Sequence, residues 1–163
     1  ILKAPLMVRV FGDTIYAEFP KSLHCDFYND STQIETWLDA KYGKYYEGLN
    51  KVYLRDSVVM INIKGDTLKS PDLWWDQNTK LFYTDSYAEY RTKDKKIFPS
   101  KGIEATQDFS RVTFRYPTGV VKVKESGFPI DKSLQQRHQS SIFRVLTINN
   151  KPQTINHGVS LHG

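Results

Sequence analysis

One cysteine, Cys25, is all that 163 residues offer. A single thiol excludes an internal disulfide and any cysteine-built metal centre. Long apolar runs are also missing, and none approaches the roughly 18 residues of a membrane-spanning helix. Glycine-rich phosphate loops, a Gly-x-Ser-x-Gly elbow and a His-Glu-x-x-His pair are absent, which removes the commonest nucleotide-binding and hydrolytic signatures. The four histidines, His24, His138, His157 and His162, match no zinc spacing and read as exposed side chains. Charge is mixed: the net is +5, and no basic block exceeds Lys93-Asp94-Lys95-Lys96, so a polyanion partner has little to hold. No segment before residue 130 carries an i, i+3, i+4 apolar stripe, which argues against a helical bundle.

What is plentiful is aromatic: ten Tyr, nine Phe and three Trp. They alternate with charged residues, as strands with one apolar and one polar face require. Turn signals recur about every ten residues, among them Gly12-Asp13, Asn29-Asp30-Ser31, Lys64-Gly65-Asp66, Asp76 to Thr79 and Pro117-Thr118-Gly119. Ile34–Tyr42 alternates as one strand, Lys51–Arg55 and Val58–Ile63 read as two joined at Asp56-Ser57, and Trp74-Trp75 is followed by Leu81–Tyr83. An aromatic, a polar turn, a cation and an alternating run recur three times, with Lys51, Lys80 and Arg111 in the same place, 29 and 31 residues apart. Such a period indicates stacked β units. Residues 1–129 therefore read as one all-β domain. Residues 130–163 form a C-terminal tail, net +3, irregular or disordered, with a short helix over Asp131 to Val145 as the alternative.

No catalytic constellation emerges, and no cofactor is implied. Asp76, Asp85 and Asp108 fall in the repeated frame, but each sits in or beside a polar turn, where Asp is favoured for its local backbone bonds. Trp74, Trp75, Tyr83 and Tyr90 could stack nucleobases. The interleaved Asp72, Asp76, Asp85 and Glu89 oppose a phosphate backbone there, so no nucleic acid is expected. A single-strand-binding module or a structural β-repeat protein stands as the alternative.

Several fragments carry a resemblance: Leu73-x-Trp75-Asp76, Tyr83-Thr84-Asp85, Gly102-Ile103-Glu104-Ala105, Asp108-Phe109-Ser110 and Pro117-Thr118-Gly119-Val120, with Leu38-Asp39-Ala40-Lys41-Tyr42 and Tyr45-Tyr46-Glu47 upstream. Together, over residues 20–125, they resemble the LptC family, periplasmic OstA-like components of the lipopolysaccharide-export ABC transporter. The resemblance implies an open-ended, twisted β-jellyroll of antiparallel strands with hairpin repeats. It implies a non-enzymatic carrier in the periplasm that holds the acyl chains of lipopolysaccharide. It also implies docking by edge strands to the jellyrolls of the inner-membrane transporter permease and to a periplasmic LptA-like protein. The chain starts at Ile1 rather than Met, which reads as a processed or truncated form whose inner-membrane anchor lies upstream. The tail after Phe128-Pro129 departs from the family ending.

Such a carrier needs a continuous apolar lining. One acyl chain of about a dozen methylenes, at roughly 0.8 kcal/mol each, costs on the order of 10 kcal/mol to leave in water. Alternation nominates the lipid-binding residues: Leu38 and Ala40; Val52 and Leu54; Val59, Ile61 and Ile63; Leu81 and Tyr83; Val112 and Phe114; Val121 and Val123. The same pattern is what an ordinary closed core would show.

Overall fold

The computed structural model describes residues 1–122, 143–145 and 153–156. It is all-β and antiparallel, a single sixteen-stranded sheet that does not close into a barrel. The strands are β1 (Leu2–Lys3), β2 (Val8–Val10), β3 (Tyr16–Phe19), β4 (Leu23–Tyr28), β5 (Ile34–Ala40), β6 (Tyr42–Tyr46), β7 (Lys51–Asn62) and β8 (Thr67–Asp76). They continue as β9 (Leu81–Thr84), β10 (Glu89–Arg91), β11 (Lys95–Pro99), β12 (Ile103–Thr106), β13 (Arg111–Phe114), β14 (Pro117–Lys122), β15 (Phe143–Val145) and β16 (Gln153–Asn156).

The long β7–β8 hairpin organises the rest. Its outer half, Lys51–Arg55 against Asp72–Asp76, pairs with β6 on one side and β9 on the other. Its inner half, Val58–Ile61 against Thr67–Ser70, pairs with β5 and β10. Between the halves the register slips by a bulge, where Asp56 and Ser57 both take left-handed φ values. A bulge bends its strand and increases local twist. The sheet folds over here into two layers. The first layer runs β2-β3-β6-β7-β8-β9-β12-β13-β16, and the second runs β1-β4-β5-β7-β8-β10-β11-β14-β15.

Among the described residues, the changes of layer from β3 onward fall on this crease. The chain crosses it near residues 20–22, at 41, at 56–57, at 70–72, at 85–88, at 100–102 and at 115–116. From residue 56 onward, successive crossings are about fifteen residues apart, so one full circuit takes about thirty. That circuit is the 29- and 31-residue period in the sequence, and the three repeated units are three neighbouring turns at one end of the first layer. The architecture is the open-ended jellyroll.

Several local expectations change. Ile34–Tyr42 is two strands split at Lys41, because the crease runs through it. Lys51–Asn62 is one bulged strand rather than two, and Thr67–Asp76 is continuous through exposed Pro71. Proline is tolerated there because it lies opposite the bulge, where the ladder is already interrupted. Pro117-Thr118-Gly119 opens β14 rather than forming a turn. Phe143–Val145, the end of the expected helix, is a strand paired with β14, and Gln153–Asn156 pairs with β13. Local periodicity could not anticipate these long-range ladders. The rest of the expected helix lies outside the described residues.

Candidate functional site

The two layers enclose one apolar interior along the crease. The first layer supplies Phe19, Val52, Leu54, Leu73, Trp75, Phe82, Ile103, Val112 and Phe114, and the second supplies Leu23, Leu38, Val58, Met60, Leu68, Tyr90 and Ile97. Aromatic rings join the layers. Phe27 meets Trp75 and Phe82 edge-on, each at 5.1 Å between centroids, and Tyr90 meets Phe114 at 5.3 Å and Phe109 at 5.9 Å. Such pairs add to area burial through quadrupole complementarity. The trough is therefore filled by its own side chains. Burial raises the Tyr90 phenol well above its ordinary pKa, and among the described residues its hydroxyl has no hydrogen-bond partner.

The nominated lining residues divide between the faces. Leu38, Ala40, Val52, Leu54, Val112 and Phe114 are buried in the interior. Val121 is half-buried; it lies on the inward side of β14, two residues beyond Gly119 opposite Ile97. Val59, Ile61 and Ile63 point the other way: Val58, Met60 and Asn62 face inward instead, and Ile63 is 68% exposed. The cause is that β7 keeps its alternation through the bulge, so Leu54 and Val58 share the interior. The Val-Ile-Ile set is more apolar than Val-Met-Asn, which made the wrong face look like the lining. Leu81 and Tyr83 also face outward, because Phe82 fills the core and buried Thr84 donates to Asp72 Oδ1 at 2.6 Å. Val123 lies outside the described residues.

The Trp74-Trp75 pair marks the two faces. Trp75 is buried against Phe82, with centroids 4.1 Å apart. Trp74 joins an outer row with Tyr46, Tyr53 and Tyr83, at 5.9, 4.8 and 6.5 Å. Cations lie among these rings: Lys44 Nζ sits 3.7 Å from the Tyr16 centroid, and Lys51 reaches both the Tyr83 hydroxyl and Asp76. In the strand register Lys44 stands opposite Glu18, Lys51 opposite Asp76 and Arg55 opposite Asp72, and of these pairs Lys51–Asp76 forms a salt bridge at 3.5 Å.

The carboxylates of the repeated frame hold turns. Asp76 Oδ1 accepts from the Asn78 and Thr79 amides at 2.9 and 3.3 Å, and Asp108 Oδ1 accepts from the Ser110 amide and the Thr106 hydroxyl, both at 3.0 Å. Burial works against the charge of each, yet these bonds outweigh it and hold both carboxyls below their ordinary range. Asp85 pairs with Arg115 at the surface.

Opposite the crease, where the hairpin tips meet, the layers are joined by a seam of side-chain bonds. The Thr36 hydroxyl donates to the Gln107 carbonyl at 2.6 Å, and Asn62 Nδ2 donates to the Asp108 carbonyl at 3.3 Å. Gln107 Nε2 donates to Glu35 Oε1 at 2.5 Å and to the Tyr28 carbonyl at 3.1 Å. Thr36 and Asn62 are buried polar residues that no sequence motif announces. Their signal was position: each stands in phase with core neighbours, Thr36 with Leu38 and Ala40, Asn62 with Val58 and Met60.

A second feature missed in the sequence is His24. It lies between two carboxylates, Nδ1 at 2.7 Å from Asp39 Oδ1 and Nε2 at 2.8 Å from Asp26 Oδ1. The other three histidines lie outside the described residues. Cys25, beside it, packs against the core, and burial pushes its thiol up to about 11. Among the described residues no group of His, Cys, Asp and Glu could hold a metal, and no helix is long and apolar enough to cross a membrane. No protein-family model matches the chain, and no curated protein matches it.

Proposed function

We propose that this chain is a non-enzymatic lipid carrier and bridge, in the manner of the LptC family it resembles in sequence. It takes the acyl chains of lipopolysaccharide into the folded sheet and passes them to a neighbouring jellyroll by edge-strand docking. One observation carries the reading: a continuous apolar interior runs the length of the crease, from Phe19 and Leu23 at one end to Val112 and Phe114 at the other. An apolar lining of that extent is what acyl chains require. The sheet's ends present β1 and β2 on one side and β15 and β16 on the other, edges of the kind that strand addition uses. Tyr90 adds a buried donor with no acceptor among the described residues, which an ester carbonyl of an acylated lipid would supply. Because the interior is filled, loading requires the layers to part, and the seam, held by few bonds, is where they part. On this reading the protein works in the periplasm beside an inner-membrane ABC transporter and an LptA-like partner.

Photoreactive amino acids test it. Probes at inward Leu54 and Phe114 should form adducts with lipopolysaccharide, whereas probes at outward Tyr53 and Thr113 should form few. Equal labelling of both faces would remove the proposal. A binder of single-stranded nucleic acid would instead use the outer Trp74 row, and its binding would weaken steeply with salt.

A further inference from the structure

The interior keeps one unpaired polar group. Among the described residues, the Tyr90 hydroxyl is the only buried side-chain polar atom without a hydrogen-bond partner. Tyr90 is also the largest of the fully buried side chains, 1% exposed. Leaving such a group unpaired costs stability, whereas Phe would fill nearly the same space without that cost. Elsewhere the fold satisfies its buried hydroxyls and amides: Thr36 donates to Gln107, Asn62 to Asp66 and Asp108, Ser70 to Tyr87 and Thr84 to Asp72. The exception at Tyr90 points to an acceptor that arrives from outside the chain.

Its place is behind the seam. β10 sets Tyr90 opposite Leu68 and Ile97, and across the interior its ring meets Phe114 and, edge-on, Phe109. Phe109 follows Gln107 and Asp108, whose carbonyls accept the seam bonds from Thr36 and Asn62. The hairpin tip that holds the seam therefore also covers Tyr90.

The chemistry of the acceptor is restricted. Burial, with the Asp66 carboxylate adding to it, raises the phenol above its ordinary value of about 10, so it stays a protonated donor. The same negative charge and the apolar surroundings disfavour an anionic acceptor. A neutral carbonyl fits: the ester or amide at the root of an acyl chain places one acceptor beside an otherwise apolar run.

We propose, resting on the carrier reading above, that Tyr90 is the specificity-determining residue of the trough: its hydroxyl donates to the ester or amide carbonyl of an entering acyl chain and selects acyl lipids over their ether-linked counterparts. Parting of the seam carries Phe109 off the Tyr90 ring. The carbonyl then comes to rest beside the hydroxyl, and the chain beyond it runs along the crease. The bond fixes how deep the guest sits.

Tyr90→Phe tests this in the full chain, with tryptophan fluorescence as the binding readout. The free variant should have a urea midpoint at or above wild type, since it loses no bond. Its affinity for lipopolysaccharide should fall about three- to tenfold, the strength of one neutral hydrogen bond. A diester phospholipid should displace lipopolysaccharide from wild type about three- to tenfold better than its diether analogue of equal chain length, and the two should be equal on Tyr90→Phe. A lowered midpoint in the variant means that the hydroxyl is bonded in the free protein, and it overturns the proposal. So does unchanged lipopolysaccharide affinity in the variant, or equal displacement by the two lipids from wild type. A wild type that binds no lipopolysaccharide overturns the carrier reading itself, and this proposal with it.

Discussion

Along the crease the two layers are joined by the backbone itself, whereas along the seam they are joined by a few side chains. The crease is a row of corners bonded one to the next: the Lys41 amide donates to the Asp56 carbonyl at 3.0 Å, and the Arg115 amide to the Gly102 carbonyl at 3.0 Å. Ser22, Asp56, Ser57, Gly102 and Tyr116 take left-handed φ values to make the turns. At the seam, among the described residues, contacts between layers come from one hairpin tip, Gln107 and Asp108, reaching Tyr28, Glu35, Thr36 and Asn62. The difference teaches that the trough has a fixed side and a separable one. Parting the seam should expose the interior without unfolding the sheet, whereas damage at the crease should undo both layers together.

The sharpest way to break the comparison is at Gly102. Its φ is +115°, and a Cβ there would lie 2.1 Å from the Thr84 carbonyl oxygen. Gly102→Ala should cost about 3 kcal/mol or more of global stability in urea unfolding, with every strand lost in one transition. At the seam, Asn62→Ala removes the side chain that caps the β7–β8 turn and reaches Asp108. It should cost about 1–3 kcal/mol, and exchange protection should fall first in the Thr106–Arg111 hairpin. Global loss of protection at the same rate would mean that the seam is no separate element. Gln107→Ala should cost about 1 kcal/mol or less by urea midpoint, with the same local signature. Smallest of all, outward Val59→Thr should stay within about 0.5 kcal/mol of wild type, while inward Val58→Thr on the same strand should cost more. Equal costs for the two would return Val59 to the lining.

The turns were legible because their chemistry is local. Gly65 at φ +87°, and Asp76 and Asp108 accepting nearby amides, declare themselves in a few residues. The all-β class and the thirty-residue period were legible for the same reason. Which face looks inward was not. The choice between Val59-Ile61-Ile63 and Val58-Met60-Asn62 depends on Asn62 finding Asp66 and the Asp108 carbonyl, partners fixed only by the hairpin and the fold. The crease hid behind Pro71 and Asp56-Ser57, residues that ordinarily end strands and here bend one. His24 looked like any exposed histidine, because Asp39 comes beside it only through the β4–β5 register.

The thirty-residue circuit also governs how such a molecule grows. Each circuit lays two strands on each layer and two corners on the crease, and its strands pair only with those of the circuits before and after it among the described residues. Adding one lengthens the trough and leaves its cross-section as it was, as stacking does in solenoid proteins. The sheet is thus sized in discrete steps along one axis, and the width of its interior is set by a single circuit however many are stacked.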